Sequence, residues 1–455
     1  MLAYAGGGIG SMTIMEKKKF LLLYPGAFFS PDWGRQMEIK PHLVYVYTFL
    51  QRFFEVIVLD MENEFLRPGN KEALNVLKKK ALERVMSIDA DYLGISCWSS
   101  LNYLSSKFFA EEIKKIKPRM PIIVGGYHPT VMPDDFTYDG SPFDYVVQGS
   151  VNGIVQTLGL SVDHAIDTMH FEKPDYFSYP YSPSTNEVGI YLSYGCPYQC
   201  AYCTEYKKEW TSLSVIDAVD LIADLVEKKS IKSIKIYDAC FGLDPQWRMS
   251  FLRRLAERKL ACRFWVETRV DTIDEEDLEI MASLNFSISF GIESFSKTML
   301  RIMKKTNDPE GYLAQFVRLS RKATELHMSH YAFLIFNHPG ESQTTVDEFN
   351  DFFTKYVTTT LRGRYLVLFA QSFYFPPGSF CWRQRAYFEQ TFGSVFMRPE
   401  WWKQEADHYQ LSRFLIPSRL EAGKPFWASM DSILERLHCF NALACQESIT
   451  QDRLS

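Results

Sequence analysis

Short apolar runs that alternate with segments of helical periodicity constrain the fold of this chain more than any other feature of its sequence. In the N-terminal part of the chain, the segments between these apolar runs carry apolar residues at three- and four-residue spacing, as in amphipathic helices. Right-handed crossovers between parallel strands cover both faces of a sheet with helices. Residues 16–160 are therefore predicted to form a doubly wound, Rossmann-like α/β domain. Its predicted strands are 20–24, 56–60, 92–96, 122–125 and 145–147.

The alternation resumes after a stretch without periodicity. Residues 161–187 contain several backbone-breaking prolines and are predicted to link two domains. Six further strands with a helix in each gap favour a partial, open (β/α)6 barrel over residues 188–375 rather than a closed eightfold barrel. Residues 376–455 carry many large aromatic side chains and are predicted to form a small, mostly helical cap that shapes the substrate region. The predicted barrel strands are 190–194, 233–237, 264–268, 287–291, 331–335 and 365–369.

Composition narrows the classes of partner. The chain has 50 Lys and Arg against 55 Asp and Glu, a net charge of -5, with no long block of either sign that would favour a nucleic-acid or membrane surface. A small-molecule or peptide substrate is expected instead. No apolar run reaches the ~18 residues of a membrane span, and the segment that begins at Met1 lacks the basic start and apolar core of a signal peptide. Met15 is the alternative start of the chain. Nine cysteines, an odd and scattered number, favour the reducing cytoplasm.

Three cysteines crowd into eight residues at the start of the predicted barrel. Cys196, Cys200 and Cys203 follow the apolar run 188–194, so their thiols are expected at the carboxyl end of a strand, where open α/β sheets bind ligands. A structural zinc site normally has four ligands, and the next cysteine, Cys240, comes only after a predicted helix and strand. A 4Fe-4S cluster with one iron free of protein ligands fits better. A zinc site and incidental buried cysteines are the alternatives.

The pattern Cys-x3-Cys-x2-Cys, with the aromatic Tyr202 just before the last cysteine, resembles the signature of radical S-adenosylmethionine (SAM) enzymes. The resemblance implies that Cys196, Cys200 and Cys203 hold the cluster and form the catalytic metal site. It also implies that the open iron chelates the amino and carboxylate groups of SAM, and that Tyr202 lies close to the adenine.

Two loops of the first domain carry a second resemblance. They are Ser96-Cys-Trp-Ser-Ser100 after the third predicted strand and Gly125-Gly-Tyr-His-Pro-Thr130 after the fourth, at the edge where doubly wound sheets bind ligands. With the segment 143–149, they resemble the cobalamin-binding domain that precedes the radical domain in one class of these enzymes. The resemblance implies that cobalamin contacts come from these loops. The expected residues are Ser96, Ser99, Ser100, Gly125, Gly126, Tyr127 and His128.

The first domain departs from the cobalamin-binding pattern in two places. After Val147 the family often continues Gly-Glu-Gly-Glu, whereas this chain has Gln148-Gly-Ser-Val-Asn-Gly153. The Asp-x-His-x-x-Gly motif that places a histidine on cobalt in other cobalamin proteins is also missing from the loop 25–34. Cobalamin is therefore expected to bind without an axial histidine, and His42 and His128 are interpreted as a helix-start residue and a polar loop contact.

Charged residues at the ends of predicted barrel strands are further candidates, because a buried charge is costly unless it is paired or contacts a ligand. The turn Gly-Ile-Glu-Ser294, with the segment 300–305, resembles the cobalamin-dependent class. The resemblance implies that Asp238, Glu267, Arg269 and Glu293 contact SAM. An interstrand salt bridge among the last three is the structural alternative.

The turn at 337–341 and two cysteines outside the cysteine loop are first interpreted as structural features. The segment 337–341 matches the family's Pro-Gly-Glu turn, and His338 within it is interpreted as a turn residue rather than a base. Cys240 and Cys381 are buried small hydrophobic residues by default, but they are also the two thiols that could act near the cluster or the substrate.

Together these features predict a cobalamin-dependent radical SAM methyltransferase that methylates an unactivated carbon of a small-molecule or peptide biosynthetic intermediate. The predicted cofactors are a 4Fe-4S cluster, SAM and cobalamin, and the predicted protein partner is an electron donor such as flavodoxin or ferredoxin. One alternative keeps the cofactors but forms, rearranges or oxidises a ring without methyl transfer. Another is a non-catalytic iron-sulfur or cobalamin-binding regulatory protein.

Overall fold

The computed structural model describes residues 17–31, 33, 39–160, 172–183, 185–205, 208–361, 365–419 and 424–452. The first part of the predicted linker, at 161–171, and both candidate start residues lie outside these ranges. No helix in the described part of the chain is both long and apolar enough to cross a membrane.

The first domain is built on a parallel sheet of five strands. The spatial order is 2-1-3-4-5, which confirms the doubly wound prediction. Chain connections leave the first and third strands in opposite directions, so a crevice opens between them at their carboxyl ends. The strands are β1 (Lys19–Tyr24), β2 (Glu55–Asp60), β3 (Tyr92–Ser96), β4 (Ile122–Gly125) and β5 (Tyr145–Val147). The helices are α1 (Pro41–Leu50), α2 (Met61–Glu64), α3 (Lys71–Met86), α4 (Tyr103–Ile116), α5 (Tyr127–Val131) and α6 (Asn152–Thr157).

The second domain is an open barrel of six parallel strands, as predicted, with the sequence order running across the sheet from first strand to last. Its strands are β6 (Glu187–Ile190), β9 (Ser233–Ile236), β10 (Arg263–Thr268), β11 (Phe286–Glu293), β12 (His330–Phe336) and β13 (Leu366–Ser372). A small antiparallel ladder of β7 (Ser193–Tyr194) and β8 (Thr211–Ser212) lies beside the first of them. The helices are α7 (Val215–Lys229), α8 (Pro245–Glu257), α9 (Glu275–Ser283), α10 (Lys297–Ile302), α11 (Pro309–Glu325), α12 (Gln343–Phe352) and α13 (Thr358–Thr360).

The predicted strand 190–194 is wrong in its extent, because the barrel strand β6 ends at Ile190 and Ser193–Tyr194 belong to a separate ladder. The carboxylate of Asp238 accepts hydrogen bonds from the backbone N–H groups of Leu192 and Ser193 at 2.8 and 3.0 Å. These contacts replace the sheet hydrogen bonds and draw the chain out of the barrel wall.

The C-terminal segment consists of short elements followed by one long helix. These elements are α14 (Phe380–Arg383), α15 (Arg385–Phe392), β14 (Val395–Phe396), α16 (His408–Leu411), β15 (Leu415–Ile416) and α17 (Lys424–Asp452). Helix α17 runs along β13, the last strand of the open barrel. There the Asn441 side chain accepts from Leu368 N at 3.0 Å and donates to Leu368 O at 2.8 Å, so the helix covers an otherwise unpaired strand edge.

Candidate active site

A cavity of about 380 Å³ opens at the carboxyl ends of the barrel strands. The three cysteines predicted to bind the cluster, Tyr202 and three of the four predicted charged residues all line it. Apolar side chains from β12 and β13, Phe333 and Phe369 among them, form the opposite wall. The predicted residues brought together here are Cys196, Cys200, Cys203, Tyr202, Glu267, Arg269 and Glu293.

Asp238 is the predicted charged residue that does not line this cavity. Besides its two backbone contacts with the loop after β6, its carboxylate accepts from Ser193 Oγ at 2.6 Å, and the side chain is buried. Burial raises the pKa of this carboxyl group to about 6. The structure therefore places Asp238 beneath the cysteine loop, where it sets the path of the chain, and its contact with SAM stays a prediction.

The cysteine loop is held from both sides by backbone contacts at Ala201, the residue after Cys200. Ala201 N donates to Met303 O at 2.8 Å, and Ala201 O accepts from Cys381 N at 3.0 Å. From outside, Lys208 Nζ donates to the carbonyls of Tyr198 and Glu205, at 2.9 and 2.7 Å. The loop thus reaches the cavity in a fixed conformation, although it has little regular secondary structure.

A buried cluster of Glu293, Lys305 and Tyr202 forms one side of the cavity. Glu293 Oε1 accepts from Lys305 Nζ at 3.0 Å and from Tyr202 Oη at 2.9 Å. Glu293 sits at an irregularity in the pairing of β11, with a φ of +67°. A Cβ at Gly291 would lie 2.8 Å from Glu293 Oε1, so glycine there leaves space for the carboxylate.

Lys305 is a cavity residue that sequence reasoning missed. The segment 300–305 resembles the family, but only its fold buries this lysine, since Lys305 is 5% exposed while its neighbour Lys304 is exposed. Nearby Tyr312 and Glu293 keep the lysine charged by raising its pKa against the effect of burial.

Arg269 forms the opposite, cationic side of the cavity. Its guanidinium pairs with both carboxylate oxygens of Asp271, at 2.8 and 2.6 Å, and lies 3.7 Å from the centre of the Tyr198 ring. Its Nη1 approaches Cys200 Sγ at 3.8 Å. Arg269 pairs with Asp271 and Glu293 with Lys305, so the structure does not contain the alternative salt bridge among Glu267, Arg269 and Glu293.

Glu267 projects into the cavity, where solvent reaches its carboxylate. The surrounding protein and the nearby Glu293 raise the pKa of this group to about 7, while Lys305 acts in the opposite direction. A carboxyl group in this environment can either hold or release a proton near neutral pH.

The first-domain loops place several predicted cobalamin residues in the interior. Ser100 Oγ lies 2.8 Å from His128 Nδ1, and His128 Nε2 lies 3.2 Å from Asp135 Oδ2. His128 is fully buried, and burial lowers its pKa, which favours the neutral ring. This observation corrects the expectation of a cofactor-facing histidine, because both ring nitrogens already have protein partners.

The remaining predicted cobalamin residues are buried or half-buried within the two loops. Ser99 bonds through its N–H and its hydroxyl to Asn102 Oδ1, each at 3.1 Å, and Ser96 is buried at the end of β3. A Cβ on Gly126 would lie 2.6 Å from Cys97 O, so this glycine lets the two loops pack together, whereas a Cβ on Gly125 would make only ordinary contacts. These contacts are all made within the protein, and none of the four residues is fully exposed.

Tyr127 joins the first domain to the cysteine loop. Its hydroxyl donates to Pro377 O at 3.2 Å. Burial raises the pKa of this hydroxyl, and the nearby Thr204 and Cys203 of the cysteine loop act on that pKa in opposite directions. The carboxyl edge of the first sheet and the mouth of the barrel therefore meet at this tyrosine.

Two family models match consecutive parts of the chain. The model described as B12 binding domain matches residues 39–158, and the model described as radical SAM superfamily matches residues 190–353. The chain carries a B12-binding domain followed by a radical SAM domain. These domains assign a 4Fe-4S cluster and SAM to the barrel and cobalamin to the first domain.

This radical SAM protein is 20% identical over 264 residues to the anaerobic magnesium-protoporphyrin IX monomethyl ester cyclase of Rubrivivax gelatinosus. The alignment covers 49% of this chain and 47% of that protein, so the chain spans about half the length of this curated relative.

Two solved structures of the radical SAM methyltransferase TsrM from Kitasatospora setae share its fold. The structure with cobalamin and the [4Fe-4S] cluster has a TM-score of 0.61 and 17% identity, covering 81% of this chain and 75% of TsrM. The structure with tryptophan substrate and the SAM analog aza-SAM has a TM-score of 0.58 and 18% identity, covering 77% and 73%. At this identity the similarity establishes a common two-domain fold.

The barrel site fits a four-iron cluster of the radical SAM type. Among the described residues, no three His, Cys, Asp or Glu side chains converge on one metal-ion position. A cubane cluster holds its thiolates on separate irons, so its ligands need only face a common space, as these three cysteines do. Cys240 lines the same space, but its Sγ contacts the hydroxyls of Thr268 and Thr272 at 3.6 and 3.7 Å.

The first domain of the radical SAM protein offers one aromatic surface suited to a flat macrocycle, and sequence reasoning missed it. Trp98, 38% exposed, stacks on His42 with ring centres 4.2 Å apart and planes 6° apart. The pair joins the loop after β3 to the first turn of α1, at the crevice of the doubly wound sheet. His42 Nε2 is buried and has no hydrogen-bond partner within the described ranges, so a polar group of a ligand could satisfy it.

Proposed function

We propose that this radical SAM protein uses its cluster, SAM and cobalamin to methylate an unactivated carbon of a small-molecule or peptide intermediate. The observation that carries the proposal is the hydrogen bond from Tyr127, in a cobalamin-side loop, to Pro377 O, because Pro377 lies in the same segment as Cys381, whose N–H donates to Ala201 of the cysteine loop. It supports two cofactor sites that open toward each other across a short gap. The fold shared with a radical SAM methyltransferase supports the same function.

The cavity side chains suit this role. When bound, the cluster with SAM supplies radical chemistry, and cobalamin supplies a transferable methyl group. Lys305 and Arg269 offer cations for a carboxylate, and Glu293 and Glu267 offer acceptors for an ammonium or hydroxyl groups. Phe333 and Phe369 add apolar surface to the lining of the same cavity.

A second candidate function is ring formation without methyl transfer. The similarity to the magnesium-protoporphyrin IX monomethyl ester cyclase favours it. Such an enzyme uses the same cofactors in the same domains, so the two candidates differ in whether the SAM methyl group reaches the product.

Label transfer to the corrinoid separates the two candidates, and its methylation arm does not require a known substrate. The anaerobically reconstituted holoenzyme is incubated with SAM deuterated in its methyl group and with reduced cobalamin, and the extracted corrinoid is analysed by mass spectrometry. Methylation predicts a corrinoid that carries the deuterated methyl group. An unlabelled corrinoid, with 5′-deoxyadenosine formed in the presence of magnesium-protoporphyrin IX monomethyl ester, would contradict methylation and support ring formation.

The metal ligands are tested by a matched pair of cysteine variants. Reconstituted Cys240→Ala protein is expected to hold about four irons and four sulfides per chain, because this thiol bonds to hydroxyl groups. Cys196→Ala protein is expected to lose the cluster. A full cluster in Cys196→Ala protein would rule out the ligand assignment.

A further inference from the structure

We propose that an acidic one-electron carrier protein of the flavodoxin class docks on a basic surface directly behind the cysteine loop. This surface, the donor face, is formed by Arg301, Ile302, Lys304, Phe380, Gln384 and Tyr387. The inference rests on the proposed function, since a 4Fe-4S cluster must receive one electron before it can act on SAM.

The donor face is one layer of residues away from the cysteine loop. Ala201 bonds through its N–H to Met303 and through its carbonyl to Cys381. Each of these partners is the chain neighbour of a donor-face residue, Lys304 and Phe380 respectively. Ala201 does not line the cavity that its neighbours Cys200 and Tyr202 line. The donor face therefore approaches the loop from the side opposite the cavity.

The shape of the donor face suits a protein contact. It encloses a depression of about 320 Å³ and exposes Tyr387, an aromatic residue of a kind enriched at interfaces. Phe380 and Ile302 belong to the same apolar cluster as Ala201, so packed side chains connect the surface to the cysteine loop. A docked partner is thus held against a continuous, rigid layer rather than a mobile loop.

The charge of the donor face is opposite to that of the whole chain, which carries a net charge of -5. Lys297 and Arg301 share a single carboxylate, Glu310, each at 3.3 Å, and so leave a positive excess. Lys304 lies over the Phe380 ring at 3.5 Å, and Arg383 is exposed at the rim. Such a patch attracts an acidic partner and accelerates its association.

A second basic depression lies at the opposite end of the barrel strands. Lys232, Lys259 and Arg263 line it where β9 and β10 begin. The cysteine loop follows the opposite ends of the barrel strands, about 20 Å away for a strand of six residues. An acidic carrier bound there is too distant for direct transfer to the cluster, so charge alone would not make it a docking site.

The redox step is a single electron transfer between proteins. The flavin hydroquinone of reduced flavodoxin gives up one electron and becomes a semiquinone, and the oxidised cluster accepts that electron and becomes reduced. No bond forms or breaks in this step.

The test compares two double charge reversals in the reconstituted holoenzyme. Arg301→Glu/Lys304→Glu alters the donor face, and Lys232→Glu/Lys259→Glu alters the distant depression. Stopped-flow spectroscopy follows cluster reduction by photoreduced recombinant flavodoxin. We expect the donor-face variant to slow this reaction roughly 10- to 100-fold at low salt, with a smaller effect at high salt, and the distant variant to stay within about twofold of wild type.

Dithionite separates failure of this inference from failure of the proposed function. As a small reductant it needs no docking site, so it should reduce the cluster and support SAM cleavage equally in wild type and in both variants. Equal flavodoxin rates in the two variants, whether both are slow or both normal, would overturn the donor face. Loss of SAM cleavage with dithionite in the wild-type protein would instead overturn the proposed function, while the affinity for labelled flavodoxin, from fluorescence anisotropy, would still report on the donor face.

Discussion

Glu293 combines an unfavourable backbone conformation with a buried charge. Its φ of +67° costs of order 1 to 3 kcal/mol in a non-glycine residue. The strain directs the carboxylate to Lys305 and Tyr202 rather than along the strand. The carboxylate thus has a cation and a hydroxyl donor beside it, which offsets the cost of burying a charge in the cavity wall.

Replacement of Lys305 should destabilise the protein, because the buried carboxylate of Glu293 would lose its cation. Lys305→Met leaves the carboxylate of Glu293 buried without its cation, so the free energy of unfolding should fall by about 3 to 5 kcal/mol. Lys304→Met, at the exposed neighbouring position, should change it by less than about 0.5 kcal/mol. Denaturant unfolding measures both. Addition of Glu293→Gln to the Lys305→Met variant should restore part of the loss, and no restoration would contradict the pairing.

Glu341, in the turn after β12, should make a pH-dependent contribution to the free energy of unfolding. Its carboxyl group accepts from Asn337 N at 2.6 Å, and burial raises its pKa to about 8 from the usual 4.5. Between these values the folded chain holds a proton that the unfolded chain releases, so stability falls as pH rises across the window. Glu341→Gln should lack this fall. Unfolding curves at pH 5 and 8, with Glu389→Gln as the exposed control, measure the difference, and parallel curves for wild type and Glu341→Gln would contradict it.

At the scale of elements, the site depends on loops that leave the carboxyl ends of strands and are fixed by contacts with other elements. The loop after β6 takes its course from Asp238, which follows β9, and from Met303, which follows α10. In the first domain, Gly126 lets the loop after β4 pack on Cys97 of the loop after β3. Each loop is therefore positioned by its neighbours rather than by its own sequence.

Gly126→Ala tests this packing. The glycine has a φ of +118°, and an added Cβ would meet the Cys97 carbonyl, so we expect a loss of more than about 3 kcal/mol in the free energy of unfolding, together with weaker cobalamin binding. Gly140→Ala is the matched control, because its φ of +75° imposes strain but no atom lies within 4 Å of the added carbon. It should lose about 1 to 2 kcal/mol and bind cobalamin normally. Equal effects at both positions would show that backbone strain alone is responsible.

At the scale of the whole molecule, the two ends of the chain complete one core. Trp401 and Trp402 are fully buried among first-domain residues such as Phe109 and Phe136. Trp402 Nε1 donates to Asp135 Oδ2 at 2.7 Å, and Asp135 in turn bonds to His128. The C-terminal segment is therefore part of the support beneath the cobalamin-side loops as well as a neighbour of the barrel.

Trp402→Ala should affect a site that is more than 250 residues away in sequence. The cavity in the first core should cost about 3 to 5 kcal/mol of unfolding free energy and weaken cobalamin binding through the loop at His128. Trp427→Ala, at a partly exposed position on α17, should cost less than about 1 kcal/mol and leave binding unchanged. Cobalamin titration followed by absorbance measures the affinity for cobalamin. Unchanged affinity in Trp402→Ala protein would show that the conformation of the cobalamin-side loops does not depend on this tryptophan.

The sequence by itself determined the features that depend on local patterns. Apolar runs such as 122–125 become strands because both faces of a parallel sheet are buried, and the three cysteines identify a ligand loop because their spacing is local. The match to the radical SAM superfamily follows from such local motifs, and so does the place of the site at the barrel mouth.

Only the tertiary structure decided the partners of the charged and aromatic residues. Lys305 is buried beside Glu293 while the adjacent Lys304 is exposed, and Trp98, in the loop after β3, stacks on His42 of α1. The carboxylate of Asp238 contacts the cysteine loop rather than the cavity, and Trp402 packs in the core of the first domain. These contacts join residues far apart in the chain, and their free energies depend on burial and distance, which a pattern along one strand or helix does not contain.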